Sequence, residues 1–575
     1  MTAPTQQDLI NLQLDTVHVA EVATGKAGGL VGGANIDTST NRLGGIRKTL
    51  PKALLDMDEQ GIRNDLLSAD GAEMVGWVGS GTGAVVRLVA EKLGESVSVD
   101  DFGAVGDGIT DDVVSFQNAL NHVASLGGGT VTFYSRYLLA ASSLTIPDNV
   151  WLKGPLGMPG EILPGTAADY DSKRGVLFID PAVSIITSDM SAVSNCIIMR
   201  RGLDLPFTSA TNATSGIAAF AGTAIQVGGS DTTLSKLLIL GFIQAITSSG
   251  NERVRCEYVT GDCANGIRID GAYDICYLNK CHFWPWTTVH QTWTTNALLR
   301  RSGNAYKMQD GGDWNKITDC FSYGYYRGFW VSNANSVTLT GCSADNTSTA
   351  GVGDHAGAIG FVVDGNSVDT RFIGCQAAAQ NAGYNLGQSV NAHATLTSCD
   401  SWACSNQGIN ITSGNVSILG GILRGTTTGV LVHSADSVVN VDNIRFQAIS
   451  NAPISSLVAT NNIHIGKNDY GDWAQGVSVV DNSTVIIQTL ASADPLNIPA
   501  SVNFFQISGT NNIGTINGGW VGREITLTFA DTLTMNDGGA SLKLAGNFTT
   551  SANSTLRLIH DGVAWCEVSR SLNGA

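Results

Sequence analysis

Basic residues are scarce in this chain. Its 32 Lys and Arg stand against 49 Asp and Glu, giving a formal charge of −17, whereas a phosphate-binding surface needs a basic face. Nucleic acid is therefore not expected as the main partner, nor is diffuse steering of anionic substrates. Charge of either sign is thin, at 14% of residues. No run approaches the roughly eighteen consecutive apolar residues that cross a bilayer, so no membrane insertion is expected. The opening Met1-Thr-Ala-Pro-Thr-Gln-Gln has neither the charged nor the apolar region of a secretory leader, so a soluble chain without Sec export is expected. No Cys-x-x-Cys pair and no closely spaced His pair occurs, which leaves no expectation of a metal or other cofactor.

Glycine and cysteine, by contrast, are plentiful and placed in order. Of the 68 Gly, several lead apolar quartets: Gly266-Ile-Arg-Ile, Gly328-Phe-Trp-Val, Gly360-Phe-Val-Val, Gly383-Tyr-Asn-Leu, Gly408-Ile-Asn-Ile and Gly429-Val-Leu-Val, with Ala305-Tyr-Lys-Met as a variant. Eleven to thirteen residues beyond most quartets comes a cysteine: Cys281, Cys320, Cys342, Cys375, Cys399. Short strands repeating about every twenty to twenty-five residues, without helical periodicity, predict a β-solenoid whose coils stack on one another. Cysteines at one phase of such a repeat are expected to form a buried, reduced column, because buried Cys behaves as a small hydrophobe.

Texture divides the chain into three: an attachment segment over 1–95, a solenoid over 96–495 and a closing module over 496–575. In the first, Leu50 to Leu67 and Ala84 to Leu93 are helix candidates, the latter ending at Gly94 as a C-cap would. Residues 96–150 open the solenoid. There, Phe116, Ala119, Leu120 and Val123 recur at helical spacing behind acidic capping residues, so Asp107, Asp111 and Asp112 are expected to organise a capping helix rather than a metal or catalytic cluster. The last module alternates in Glu524 to Phe529, Ser541 to Leu544 and Thr555 to Ile559, with Asp537-Gly538 and Asp561-Gly562 turns, and is expected to be an antiparallel β-sandwich.

Asp101-Phe-Gly-Ala-Val-Gly-Asp-Gly-Ile-Thr-Asp-Asp, followed by Gly127-Gly-Gly-Thr-Val-Thr-Phe, resembles the opening of pectate-lyase-like right-handed β-helix proteins. The preceding Ser68-Ala-Asp-Gly-Ala-Glu-Met-Val-Gly and Gly81-Thr-Gly-Ala-Val-Val-Arg resemble the lead-in of bacteriophage tailspikes and capsule depolymerases. That resemblance implies an all-β, right-handed parallel β-helix in a homotrimer, carried on the virion and synthesised in the bacterial host cytoplasm. It further implies a phage tail or another receptor-binding protein as the partner of the N-terminus, and host capsular polysaccharide as the substrate. The opening motif itself contains no catalytic residue.

In a solenoid, inward side chains are core, so chemistry must use outward positions and inserted loops. Alignment on the cysteines yields an outward column of Trp284, Tyr323, Asp345, Ala378 and Trp402, beside insertions at Pro285 to Gly303 and Asn346 to Ala358. The first carries Trp286, His290, Trp293, Arg300 and Arg301, the second Asp354 and His355. Aromatic faces beside a carboxylate suit sugars, so Asp345 is the leading catalytic candidate, with Trp284, Trp286, Tyr323, Arg327, Trp402 and His282 as substrate contacts. A second candidate is the turn-borne pair Asp274 and Asp313, equivalent in consecutive coils and thus near the roughly 5 Å separation of retaining glycosidases. Glu257, following Cys256, is expected one coil below His282, and Glu257 or Asp400 is a partner for Asp345 in inverting hydrolysis. Tyr325, Tyr326 and Arg327 supply the base and cation of a lyase. Endo-hydrolase, lyase and non-catalytic glycan-binding fibre all remain open on the sequence.

Overall fold

The computed structural model describes residues 38–40, 46–48, 63–68, 70–159, 174–289, 291–347, 356–390, 392–457, 462–466, 468–470, 488–499, 503–539 and 541–573. They form two compact units, 1–97 and 98–575. In the first, Thr38–Thr40 pairs antiparallel with Ile46–Lys48 and Gly76–Val78 with Val86–Leu88. The expected second helix is shorter than its sequence pattern, running over Val89–Leu93 after the strand, with Gly94 as C-cap. Of the first helix candidate, most lies outside the described residues.

The second unit is a parallel β-helix. A twelve-stranded parallel sheet holds the quartets, and their leading glycines stand in register because Ile267, Tyr306, Phe329, Phe361, Tyr384, Ile409 and Val430 pair in succession. A side chain is excluded at this column: a Cβ on Gly360 would lie 2.7 Å from the Gly383 carbonyl oxygen, and one on Gly383 would lie 2.6 Å from that of Gly408. The next position points inward and stacks aromatic on aromatic. Tyr306, Phe329, Phe361 and Tyr384 follow one another at centroid distances of 4.7, 4.9 and 4.8 Å, the spacing of neighbouring strands.

From Tyr277 to Gln447 each coil then passes through two short strands separated by two residues, the first of them at positive φ. Lys280, Asp319, Gly341, Gly374, Ser398, Gly420 and Asn443 all occupy this left-handed corner. The residue after it turns inward, and that is where the cysteines sit. Cys281, Cys320, Cys342, Cys375 and Cys399 are buried free thiols, joined by Cys196 from an earlier coil. Burial pushes the Cys196 thiol well up, since a thiolate there would be an unsolvated charge.

At the open end, helix Val113–Ser125 buries Val113, Phe116, Ala119, Leu120 and Val123 over the first coils. The acidic residues before it are structural. Asp107 accepts from the backbone N–H of Ile109 and Thr110, Asp111 from Ala140 and Ala141, and Asp112 from Val105.

The closing module differs from the antiparallel sandwich expected. Gln488–Ala491, Phe504–Ser508 and Glu524–Phe529 pair in parallel, Thr555–His560 and Trp565–Ser571 add as an antiparallel hairpin, and Thr534–Met535 pairs antiparallel with Phe548–Thr549 in a separate two-stranded sheet. Coil-like stacking thus resumes before the hairpin, over a separate core that includes Phe505, Leu527, Leu556 and Trp565. Alternating strands look the same in sequence whether they pair parallel or antiparallel, so direction was not legible.

Candidate active site

Asp345 ends the short strand Ser343–Asp345, directly paired with Tyr323 on Phe321–Tyr323. Phe283 pairs with Ser322, which sets Trp284 beside Tyr323. Two coils beyond Asp345 is Trp402, paired with Ala378 and 38% exposed. The column drawn from the cysteine register therefore forms, with one carboxylate among aromatic side chains, but Ala378 within it is buried rather than outward.

Asp345 is half-buried. Loss of water raises its pKa, a shift only partly opposed by the Asn346 N–H, which donates to Asp345 Oδ1 at 2.7 Å. Burial, and secondarily the Asp345 charge, raise the Tyr323 phenol. His282 stacks on Trp284 at 4.6 Å and meets Phe321 edge-on at 4.9 Å. Burial pushes its imidazole down to about 4, so it is neutral at pH 7. A carboxyl that holds its proton beyond the ordinary range, next to sugar-sized aromatic surfaces, has the properties of a proton donor.

The insertion beside this column is pinned by a buried ion pair. Arg301 donates to both carboxylate oxygens of Asp262, at 2.6 and 2.8 Å, and Asp262 also accepts from the Thr287 N–H and hydroxyl at 2.8 and 2.6 Å. The side chains of Arg301 and Asp262 are 1% and 0% exposed. Trp286, expected to contact ligand, is instead 1% exposed and packs with Leu203, Phe207, Phe220, Leu240 and Leu298. Its hydrophobic area anchors the loop. Arg300 reaches Thr347 at 3.4 Å, tying the two insertions together at their roots. His290, Asp354 and His355 lie outside the described residues.

Other candidates are dispersed. Cys256 pairs with Leu278, not Cys281, because the continuous strand Arg255–Asp262 places its left-handed corner at Tyr258. Glu257 therefore shares a column with Asn279, and His282 pairs with Thr260, so the expected pairing of Glu257 with His282 is not formed. Asp400 lies two coils from Ser343, and its Oδ1 accepts from the Ile422 N–H at 2.8 Å. Asp274 and Asp313 sit on a different edge, where the twelve-stranded sheet turns into the first short strand. Asp274 is held at 2.8 Å by Arg253, which also grips Asp231 and Glu252. Asp313 bridges to Asn335, and its Oδ1 is buried without a hydrogen-bond partner among the described residues.

The lyase set is also split. Tyr325 is buried with its hydroxyl donating to the Cys263 carbonyl at 2.8 Å, while Arg327 lies on the twelve-stranded sheet, its guanidinium 3.9 Å from the Trp330 ring centroid. Beside it is a group that alignment on cysteine did not reveal: Arg268, Lys307 and Trp330, in register on successive coils. These are the third residues of the quartets, so alignment on the quartet glycines exposes them.

No family model matches the chain. It is 26% identical over 271 residues to a K30/K69-specific capsule depolymerase of Klebsiella phage K64-1, spanning 46% of this chain and 28% of that protein. It is 37% identical over 76 residues to the tail spike protein of Shigella phage Sf6, 12% of each. The chain thus spans less than a third of the length of either relative, and the resemblance to tailspikes and capsule depolymerases is carried by these stretches. Among solved structures, a GH87 α-1,3-glucanase catalytic unit from Streptomyces thermodiastaticus superposes with a TM-score of 0.44 at 14% identity, covering 68% of this chain and 70% of that one. Tailspike protein 3 of bacteriophage CBA120 gives 0.34 at 12%, covering 76% and 72%.

Proposed function

We propose that this chain is a phage tailspike that binds a bacterial surface polysaccharide, of the capsular kind, along the flank of its β-helix and cleaves it within the chain by hydrolysis, with Asp345 as proton donor. The observation that carries the reading is the Trp284–Tyr323–Asp345–Trp402 column. It combines a proton-holding carboxyl with aromatic faces on which pyranose rings stack, beside an insertion fixed by the Asp262–Arg301 pair. Tyr323 and neutral His282 flank the place where a glycosidic oxygen would lie, and Arg300 with Thr347 forms its rim. In this reading residues 1–95 attach to the virion, the active molecule is a homotrimer, and a second carboxylate completes the chemistry. Glu257 is out of register for that role and Asp274 and Asp313 lie on a different edge, which leaves Asp400 as the partner to test.

Incubation of the purified protein with capsules from candidate hosts tests this. New reducing ends without ultraviolet absorbance are expected; an unsaturated-uronate chromophore would replace hydrolysis by lyase chemistry. Binding without shortening of a capsule would make the protein a glycan-binding fibre.

A further inference from the structure

The twelve-stranded sheet carries a second polar site, away from the short-strand column. A cleft of about 120 Å³ is lined by Gln244, Asn265, Ile267, Arg268, Asn304 and Lys307: two cations, three amides and no carboxylate. The Lys307 ammonium lies 3.7 Å from the Trp330 ring centroid, and the Arg327 guanidinium 3.9 Å from the same point. The Trp330 indole is itself fixed by donating to Asp364 at 2.9 Å. Neither Lys307 nor Arg327 forms an ion pair among the described residues, and Arg327 Nε is buried without a hydrogen-bond acceptor.

The nearby acids have partners of their own, although Asp364 Oδ1 is buried without one among the described residues. Arg268 holds Asp270, Gln309 donates to Asp310, and Asp364 receives Trp330. Burial, with Arg268 adding to it, lowers the Lys307 pKa against the opposing charges of Asp270, Asp310 and Asp364. In a chain of charge −17, a cleft wall on which Arg268 and Lys307 stand in register and no carboxylate intrudes is a local positive patch that suits an anion. Asn304 pairs with Arg327 in register, and its side-chain amide has no partner among the described residues. Gln244 and Asn265 are committed to backbone carbonyls at 2.6 and 3.1 Å, so they form fixed walls.

We propose that this cleft is a subsite for an acidic sugar, its carboxylate taken by Lys307 and Arg268, the two cations that line it, and an adjacent hydroxyl by Asn304. The inference rests on the chain being glycan-binding, but not on Asp345 being catalytic. Ligand-observed NMR with glucuronate, glucose and acetate at millimolar concentration tests it, on the full chain and on Asp345→Asn. Glucuronate should bind both proteins, more weakly as salt rises, and glucose should not. Lys307→Met and Arg268→Met should each weaken glucuronate about tenfold or more, as for loss of one charge-assisted hydrogen bond, while Lys307→Arg retains it. Unchanged thermal unfolding in these variants separates loss of the site from loss of the fold. Absence of glucuronate binding, equal binding by the Met variants, or equal competition by acetate overturns the assignment. Capsule cleavage without glucuronate binding defeats only this inference; glucuronate binding without cleavage of any capsule defeats only the hydrolase reading.

Discussion

Asp345→Asn keeps the size and most of the hydrogen bonding of the side chain but removes the proton. Turnover is expected to fall by about two orders of magnitude or more, the usual contribution of an acid–base group, with oligosaccharide binding retained. Trp284→Ala should weaken binding first. If Asp345→Asn cleaves normally while Asp313→Asn is inactive, the turn edge carries the reaction instead. As a proton donor with a raised pKa, Asp345 should also set an alkaline limb above the ordinary carboxylate range in the pH profile. His282 predicts a different dependence, in stability. Its folded pKa of about 4 lies below the ordinary imidazole value of 6.5, so the unfolded chain binds more protons between those values. Stability from this group is therefore present above pH 6.5 and is lost as pH falls toward 4. His282→Gln should flatten that part of a denaturation-versus-pH curve; an unchanged slope would place the imidazole in water.

Among the elements, the insertion 285–303 depends on two fully buried charges. Asp262→Ala leaves Arg301 buried and unpaired, which costs about 3–5 kcal/mol, and the released energy should appear first as protease cleavage within the insertion. If limited proteolysis finds that loop as resistant as in the wild type, Trp286 and its apolar neighbours hold it without the ion pair. The cysteine ladder gives a second test. Cys281, Cys320, Cys342, Cys375 and Cys399 should resist thiol reagents in the native protein and titrate fully after denaturation without reductant. Disulfide-linked peptides among them would contradict the corner geometry that turns each one inward. Gly360→Ala should destabilise the coil, since its Cβ meets a backbone carbonyl oxygen at 2.7 Å and backbone in a stacked sheet has little room to yield.

For the molecule as a whole, the division at 97/98 predicts that a chain beginning at Ser98 folds, keeps its oligomeric state and still cleaves capsule, while no longer joining a virion. Sedimentation and a reducing-end assay on that truncation check it; a truncated chain that is monomeric or inactive would make the first unit part of the catalytic body.

The solenoid was legible in the sequence because its signals are local. A glycine and then an inward aromatic or aliphatic residue, followed in Arg268, Lys307, Asn385 and Asn410 by a polar one, recur within four positions, and each is dictated by its immediate neighbours in the coil. The Trp284–Tyr323–Asp345–Trp402 column could be read for the same reason. Relations between coils were decided by the tertiary structure. The left-handed corner is filled by Lys280, Asp319, Ser398 and Asn443 as well as glycines, so no residue type announces it, and Cys256 was assigned to the wrong side of that corner. Trp286 reads as an exposed loop aromatic until Leu203, Phe207 and Phe220, some sixty to eighty residues earlier in the chain, close over it. The strand directions of the last module were likewise unreadable. Alternation fixes which face of a strand is buried, but the partner across the sheet is chosen by the packing of the whole.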